Sequence, residues 1–347
     1  MPIKYHFCNS FSWESGQDVS SRFGPQQTGG TIIQHVRPVD LQASMAQGAE
    51  ILSRWATLLA ADNPTEDLSA DITFWRNIAD EFTVKTRLMW QHGWFRDYDA
   101  VAQEWSEQQD AMHLAPVFCG VAGWGQVEQL RPLLERPPMH SSGWAPLSWP
   151  PVVMTLVGAA SAARVPLVAA ELAYRFIDAS YRSIDSREVD QHGGIPGVTR
   201  EYHATVARGK WGALDYANAG IEGYGWGALS IHLPMRYLLG LREEEADKIT
   251  IAPALPQALH RVGATYRVEP VPWGNYVLGI ECMVRNAKGY TVRLRCTQQK
   301  RETTAEALEE KELPRPATVQ TCAWEGTWGE GHRFQLPQLT RSSVNQM

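Results

Sequence analysis

Hydrophobic residues recur at spacings of three and four over much of the first two thirds of the chain, which is the period of a helix with one buried face. The first such stretch begins near Asp40. Its predicted buried face consists of Leu41, Met45, Gly48, Leu52, Trp55 and Leu59. A second helix is predicted to begin at Asn63-Pro64, because an Asn cap, a Pro in the first turn and Glu66 three residues after the cap are typical of a helix start. Its predicted face consists of Leu68, Ile72, Trp75, Ala79, Phe82 and Met89.

The same periodicity continues beyond this predicted hairpin, with loops rich in Gly and Pro between the helices. Further helices are predicted at about 101–122, 125–135, 151–163, 165–182 and 222–240. Loops are predicted at residues 1–36, 137–150 and 186–220. Helix pairs joined alternately by short and long loops predict a mainly α protein, an α/α toroid whose long loops gather on one face.

The pattern changes near residue 248, where short runs rich in β-branched and aromatic residues begin. The predicted strands are 249–251, 264–268, 276–284, 290–296, 318–323 and 333–336. They predict a small antiparallel β unit, with the Glu-rich stretch 299–315 as a solvated linker or short helix. We therefore expect two domains, 1–247 and 248–347.

Composition narrows the classes of function. The chain has 347 residues, 20% of them charged, and a net charge of −6 without a block of Lys or Arg. A protein that follows nucleic-acid phosphates needs a basic surface, so we expect no nucleic-acid partner. No run of 18 apolar residues is present, so we expect no membrane span. The histidines lack metal-binding spacing, and Gly220, Gly223, Gly225 and Gly227 do not fit a dinucleotide fingerprint, so we expect no metal and no cofactor.

The five cysteines indicate a compartment. Their odd number and unpaired spacing argue against a disulfide framework, and the first ten residues do not have the charged and apolar regions of a signal peptide. Both observations favour a cytoplasmic protein.

Two carboxylate motifs lie far apart in the sequence. Asp18 ends the segment Trp13-Glu14-Ser15-Gly16-Gln17-Asp18, and Glu201 begins Glu201-Tyr202-His203 within a loop rich in Gly and Trp. Two carboxylates that loops bring to one end of a helical scaffold suit acid/base cleavage of a glycosidic bond. The residues alone leave alternatives open: Asp18 could cap a helix or turn, and Glu201 could pair with a neighbouring Arg.

Other residues are candidates for binding a sugar. The chain has 14 Trp, whose flat faces can stack on sugar rings, although many Trp could equally fill a helical core. The candidates for stacking are Trp13, Trp149 and Trp211. The candidates for hydrogen bonds to substrate are Glu14, Asp97, Asp99 and Tyr202. Glu14, Asp97 and Asp99 could instead brace loops or bond backbone turns.

Seven short motifs occur in the order in which they occur in inverting (α/α)6-barrel glycosidases. The motifs are Trp13–Asp18 followed by Arg22-Phe23, Val39-Asp40-Leu41, Asp97-Tyr98-Asp99, Trp149-Pro150-Pro151, Glu201-Tyr202, Gly225-Trp226-Gly227-Ala228 and Ile251–Pro256. Over roughly residues 10–260 the chain resembles glycoside hydrolase family 63 and its mannosylglycerate-hydrolase-like bacterial members. The resemblance implies that Asp18 is the general acid and Glu201 the general base.

The chain departs from the family in two ways. Ala145 occupies the place of an Arg that can reach substrate hydroxyls or a carboxylate in the family. The family's barrel has twelve helices with the acid motif in the middle, whereas the pattern here predicts about seven helices after that motif and none before it. We therefore expect a missing N-terminal half, a second chain that closes the ring, or a remnant, because an incomplete toroid exposes apolar helix faces.

Two functional hypotheses follow from the sequence. The first is an inverting hydrolase of small α-linked glucosides or mannosides, with an oligosaccharide or glycoside as its partner. The second is a non-catalytic carbohydrate-binding or scaffold protein that retains part of the barrel. A lyase or isomerase on the same scaffold is a third possibility, since a fold does not fix the chemistry.

Overall fold

The computed structural model describes Arg22 and residues 34–137, 150–185, 225–245, 248–274, 276–298 and 319–336. The chain divides into two compact units, Met1–Ser230 and Ile231–Met347. This division lies before the domain boundary after residue 247 that the sequence predicts. The first unit contains most of the described helices, and the second contains the larger antiparallel sheets. No helix in the described part of the chain has the length and apolar character needed to cross a membrane.

The first unit begins with a helical hairpin, α1 (Val39–Asp62) and α2 (Ser69–Leu88). The start of α1 at Val39-Asp40-Leu41 confirms the prediction. The predicted start of α2 at Asn63 is wrong, because Asn63 ends α1: its backbone N–H donates to Leu59 O at 2.8 Å. Its side chain accepts a hydrogen bond from Thr65 Oγ1 at 2.7 Å within the connecting turn. The residues that resembled a helix start therefore stabilise the turn between the helices.

The buried face of α1 is not the one that the apolar pattern predicts. The buried residues are Val39, Asp40, Gln42, Ala43, Ala46, Ala49, Ser53 and Ala56, whereas Leu52, Trp55 and Leu59 are exposed. Small residues allow α2 to approach closely, and Ser53 Oγ donates to the backbone carbonyl of Ile72 at 3.2 Å. In α2 the prediction is better, since Ala79 and Phe82 are buried as expected. Hydrophobic periodicity found the helices but assigned α1 the wrong face.

Short strands follow α2. Strands β2 (Trp90–Gln91) and β3 (Trp94–Phe95) form a hairpin. Strands β1 (Val36–Arg37), β4 (Tyr98–Asp99) and β5 (Glu104–Trp105) form a small antiparallel sheet in the order β1-β4-β5. The turn of the hairpin contains His92 and Gly93, both with positive φ. The positive φ values allow the tight turn between β2 and β3.

The helix predicted over 101–122 is wrong. A 3-10 turn occupies Ala111–Leu114, and a single α-helical turn, α3, occupies Ala115–Phe118. Asp110 begins this segment, because its carboxylate accepts a hydrogen bond from the backbone N–H of Met112 at 2.7 Å. Gly120, with φ of +72°, ends it. Local capping therefore divides a stretch whose apolar period resembles one long helix.

Three longer helices follow in the described part of the first unit: α4 (Trp124–Glu135), α5 (Pro150–Ala162) and α6 (Pro166–Asp185). All three confirm predicted helices. Helix α5 packs on α6 and on α3, and nine of its 13 residues are buried. A helix that is apolar on most sides is typical of the interior of a helical layer.

The predicted helix at 222–240 is interrupted within the described residues. A 3-10 turn at Gly225–Ala228 precedes α7 (Leu229–Leu233), and a π-helical turn covers Pro234–Leu238. Pro234 has no N–H to donate along the helix, and its carbonyl accepts instead from Leu239 N–H, five residues on, at 2.9 Å. The proline accounts for the change of helix type.

The second unit is built on antiparallel strands, as the sequence predicts. Strands β8 (Thr265–Trp273), β9 (Tyr276–Asn286), β10 (Gly289–Gln298) and β11 (Val319–Thr327) form a sheet in the order β11-β10-β9-β8. Strands β6 (Arg242–Glu245), β7 (Lys248–Ile251) and β12 (His332–Gln335) form another in the order β12-β7-β6. Alternate residues of β9 are buried from Tyr276 to Val284, which gives this sheet one packed face. The stretch 299–315 lies outside the described residues.

Candidate active site

A buried ionic cluster joins two of the sequence motifs in the first unit. The guanidinium of Arg22 is fully buried and contacts two carboxylates. Its Nε donates to Asp97 Oδ2 at 2.5 Å, and its Nη2 donates to Asp97 Oδ1 and Asp40 Oδ1, each at 2.6 Å. Arg22 thus binds Asp97 through two parallel hydrogen bonds, which is the strongest geometry for an Arg–carboxylate pair.

Local structure explains where each carboxylate lies. Asp40 is in the first turn of α1, where backbone N–H groups have no partner within the helix. Asp97 lies between β3 and β4, and its Oδ1 also accepts the N–H of Val39 at 2.8 Å. Asp97 therefore caps α1 and holds Arg22 at the same time, which fixes the Arg22 side chain against the start of the helix.

His113 completes the cluster. Its ring is fully buried in the 3-10 turn, and Nδ1 accepts the backbone N–H of Asp110 at 3.0 Å. Nδ1 also lies 3.2 Å from the carbonyl oxygen of Asp110, and Nε2 lies 3.3 Å from Asp97 Oδ2. The sequence favours a core or loop role for His113 over a metal-binding role, and the structure places it in the core.

The charges of the cluster stabilise one another. Burial by itself would raise the pKa of Asp97, but the nearby Arg22 guanidinium and His113 outweigh it, and the pKa of this carboxyl lies well below its usual range. For Arg22, burial would lower the pKa, but Asp40 and Asp97 hold it well above its ordinary value. Arg22 and Asp97 therefore stay ionised at neutral pH, and neither can exchange a proton with a substrate.

A cavity of about 380 Å³ lies beside Asp40 in the same unit. Small-molecule pockets have volumes of about 300–1,000 Å³. The lining residues are Asp40, Leu41, Ser44, Met112, Ala115, Phe118, Pro151, Met154, Thr155, Trp226 and Leu229. The lining is mostly apolar with a few polar groups, which is the composition of a site that binds a small organic molecule.

Phe118 forms part of the cavity wall because α5 carries a glycine beneath it. A Cβ at position 158 would lie 2.1 Å from Cδ2 of Phe118. Only a glycine at position 158 therefore allows the ring of Phe118 to pack directly on the helix backbone. Elsewhere in the wall, Thr155 donates a hydrogen bond to Met112 Sδ at 3.4 Å, which joins α5 to the 3-10 turn.

Cys119 directly follows Phe118, which lines the cavity. Burial raises its pKa to about 12, with a smaller opposing effect of a hydrogen bond to Ser44. The thiol stays protonated at neutral pH, so it does not provide a nucleophile. Within the described ranges, no group of three or more His, Cys, Asp or Glu side chains is arranged to hold a metal ion.

Two predicted substrate-binding residues lie in the described part of the chain. Asp97 is buried in the ionic cluster, where protein groups already contact both of its carboxylate oxygens. Asp99 accepts the backbone N–H groups of Val101 and Ala102 at 2.8 and 2.9 Å. Both make the bracing contacts that the sequence leaves open as an alternative, and their roles in substrate binding stay predictions.

The other predicted site residues lie outside the described residues. They are Trp13, Glu14, Asp18, Trp149, Glu201, Tyr202 and Trp211. Ala145 lies outside as well. The distance between the carboxylates of Asp18 and Glu201 therefore stays a prediction. Sequence reasoning did not assign roles to Arg22, Asp40 or Trp226, although all three belong to motifs that it quotes.

No protein-family model and no curated protein matches this sequence. Among solved structures, the chain is similar to the family 63 mannosylglycerate hydrolase of Thermus thermophilus, with 21% identity and a TM-score of 0.39 over 57% of this chain and 45% of that one. Neutral trehalase from Saccharomyces cerevisiae has 19% identity and a TM-score of 0.43 over 64% of this chain and 40% of that one.

An uncharacterized conserved protein from Thermus thermophilus is similar to the same degree, with 19% identity and a TM-score of 0.41. That match covers 58% of this chain and 47% of the other. The chain spans less than half the length of each of these three structures. The similarity is distant and partial, so closure of a toroid and the activities of these proteins are not transferred with it.

Proposed function

We propose that this chain is a glycoside hydrolase that cleaves α-linked glucosides or mannosides by single displacement with inversion. Asp18 is the general acid, Glu201 is the general base, and the helices belong to an (α/α)6 toroid. The compartment we propose is the cytoplasm, on the basis of the cysteine pattern.

The observation that carries this proposal is that separate motifs meet at one place. The cavity is lined by Asp40 and Leu41 of one motif, Pro151 of another and Trp226 of a third. Arg22, which follows the acid motif, is hydrogen-bonded to Asp40 and to Asp97, 75 residues away in the sequence. Motifs that the resemblance assigns to one glycosidase site thus surround one cavity and its adjoining ionic cluster.

Arg22 also limits how far the proposed acid can be from the cluster. Asp18 is four residues before Arg22 in the sequence, and a fully extended chain of that length spans at most about 14 Å. In the proposed site, the acid motif lies near the N-terminus of α1, where Arg22 is held by its buried bonds. In the proposed mechanism, Arg22, Asp40 and Asp97 position this segment and do not transfer protons.

The reaction needs two carboxyl groups with different protonation states. Asp18, kept protonated by apolar or aromatic neighbours such as Trp13, donates its proton to the leaving oxygen. Glu201 deprotonates a water on the opposite face of the sugar, and the two groups lie about 6.5–9.5 Å apart to leave room for that water. Trp149 and Trp211 stack on sugar rings, while Glu14 and Tyr202 bind hydroxyl groups.

A panel of α-glucosides and α-mannosides, followed by proton NMR of the first-formed anomer, tests the proposal. The wild-type chain is expected to release the β-anomer first. Asp18→Asn and Glu201→Gln are each expected to lower turnover by at least about 100-fold, since each removes a proton transfer. Asp67→Asn, an exposed turn aspartate, is the control and should keep full activity. Wild-type rates from either of the first two variants would refute the assignment.

The second candidate function, a non-catalytic carbohydrate-binding protein, is favoured by one observation. Ala145 replaces the family's substrate-contacting Arg. The same sugar panel distinguishes the two functions. Binding of glycosides by calorimetry without any hydrolysis, unchanged in Asp18→Asn and Glu201→Gln, would favour the binding protein.

A further inference from the structure

Helix α1 carries large apolar side chains on its exposed side. Ile51, Leu52, Trp55, Leu58 and Leu59 are 39%, 36%, 60%, 64% and 59% exposed. With 3.6 residues per turn, these five positions form one continuous stripe, here called the outer stripe. It lies opposite the small residues that pack against α2. The side of α1 that faces away from the fold is therefore more apolar than the side that faces the core.

An amphipathic helix on a protein surface normally has the reverse arrangement, with its polar side outward. A contiguous exposed apolar patch of several hundred Å² commonly marks an interaction site. If each residue has about 200 Å² of surface, the exposed fractions of the outer stripe amount to roughly 500 Å². Two such stripes would bury about 1,000 Å² in total, the lower limit for a specific protein interface.

We propose that the outer stripe is the interface of a homodimer, in which the α1 helices of two copies pack antiparallel about a two-fold axis near Leu52. The stripe is self-complementary in that arrangement. Met45 and Leu59 lie at equal distances before and after Leu52. Met45 of one copy therefore meets Leu59 of the other copy. A two-fold interface requires this kind of match, in which one patch faces itself.

Size complementarity supports the same axis. Gly48 lies on the exposed side of α1, and a Cβ at this position would meet nothing within 4 Å in the chain. A glycine inside a helix costs up to about 1 kcal/mol relative to alanine, so its presence here is not explained by the hairpin. In the antiparallel pair, the space at Gly48 faces the indole of Trp55 from the second copy, because these residues lie at nearly equal distances from Leu52.

Sedimentation velocity and equilibrium of the full chain over a range of concentrations test the proposal. We expect a reversible dimer, and Trp55→Lys is expected to weaken it by about 1,000-fold because each dimer loses two central Trp contacts. Val262→Lys is the matched control, since Val262 is 72% exposed in a turn of the second unit. Circular dichroism checks that each variant is folded, and Leu58→Lys replaces Trp55→Lys if that variant is not.

A chain that stays monomeric at all concentrations, or a dimer that Trp55→Lys leaves intact, would overturn the proposal.

Discussion

The buried cluster makes Asp97→Asn the most informative single substitution. The amide has the shape of the carboxylate, so the change leaves the packing of the site nearly constant while it removes one negative charge. The oxygen of the new amide could still accept the Val39 N–H that Asp97 accepts at 2.8 Å. The amide would, however, present an NH₂ group to one of the two Arg22 donors that now bind Asp97 at 2.5 and 2.6 Å.

The expected cost follows from the burial of both partners. The side chains of Arg22 and Asp97 are 0% and 2% exposed, so water cannot replace the lost bond. Breaking a buried ion pair by removing one partner typically costs about 3–5 kcal/mol, because an incompletely compensated charge stays buried. Asp40 still pairs with Arg22 at 2.6 Å. We therefore expect a loss of about 3 kcal/mol, at the lower end of that range.

Asp99→Asn is the matched control, since it makes the same change two residues away in the same motif. Asp99 is one-third exposed, and its contact with His35 is 3.5 Å long. Its loss should cost less than about 1 kcal/mol. Urea denaturation at pH 7, followed by the helical circular dichroism signal, measures both variants. If Asp97→Asn is no more destabilising than Asp99→Asn, the cluster does not stabilise this unit in the way that its burial implies.

Three further predictions concern pH, packing and reactivity. The pKa of Asp97 is depressed in the folded chain, so the stabilisation by its carboxylate is complete above the unfolded pKa of about 3.9 and is lost as the pH falls toward the folded value. In acid titrations of unfolding, the stability difference between wild type and Asp97→Asn should therefore narrow below about pH 4. A constant difference would contradict the assigned pKa. Gly158→Ala should destabilise the folded chain by about 1–3 kcal/mol despite the better helix propensity of Ala, because the new Cβ meets Phe118. Gly125→Ala, with open space around the new Cβ, should not destabilise it. Equal melting temperatures for the two variants would contradict this packing. With a pKa of about 12, Cys119 should remain unmodified by iodoacetamide at pH 7 in the native chain, as judged by mass spectrometry, and labelling as fast as in urea would show that its thiol is accessible and ionised.

Sequence patterns predicted the positions of helices better than their orientations. The period of three and four located α1, α4, α5 and α6 correctly, since it needs only local information. It failed for the buried face of α1, because the choice between alanines and large apolar residues depends on what packs against each side. No local pattern contains that information, and burial of small residues at a close helix contact runs against simple hydrophobicity.

The turns were predicted poorly for a different physical reason. Asn63 and Asp110 both have the side chains of helix caps, but the first ends a helix and the second begins a short new one. A capping side chain accepts from whichever backbone N–H groups are nearby, so its identity alone does not give the direction of the chain. The assignment of one helix to 101–122 ignored Asp110 in favour of the apolar period.

The candidate site was only partly accessible from the sequence. The motif around Asp18 was recognised, but the role of Arg22 depends on Asp97, which is 75 residues away. A buried charge must be paired, yet the sequence does not state which distant carboxylate provides the partner. The resemblance to glycosidases supplied a hint, since Arg22 and Asp97 both belong to its motifs, but not the bond between them.

The alanines on the buried side of α1 have a consequence for how this chain can change over time. Because Ala43, Ala46, Ala49 and Ala56 set the separation of the hairpin, any larger residue there must push two helix backbones apart. A deep mutational scan scored for folding alone should therefore find that these four alanine positions do not tolerate larger residues, while the position of exposed Leu58 accepts many residue types. Selection for folding would preserve the small side chains, and the large ones would drift unless association with another molecule retained them.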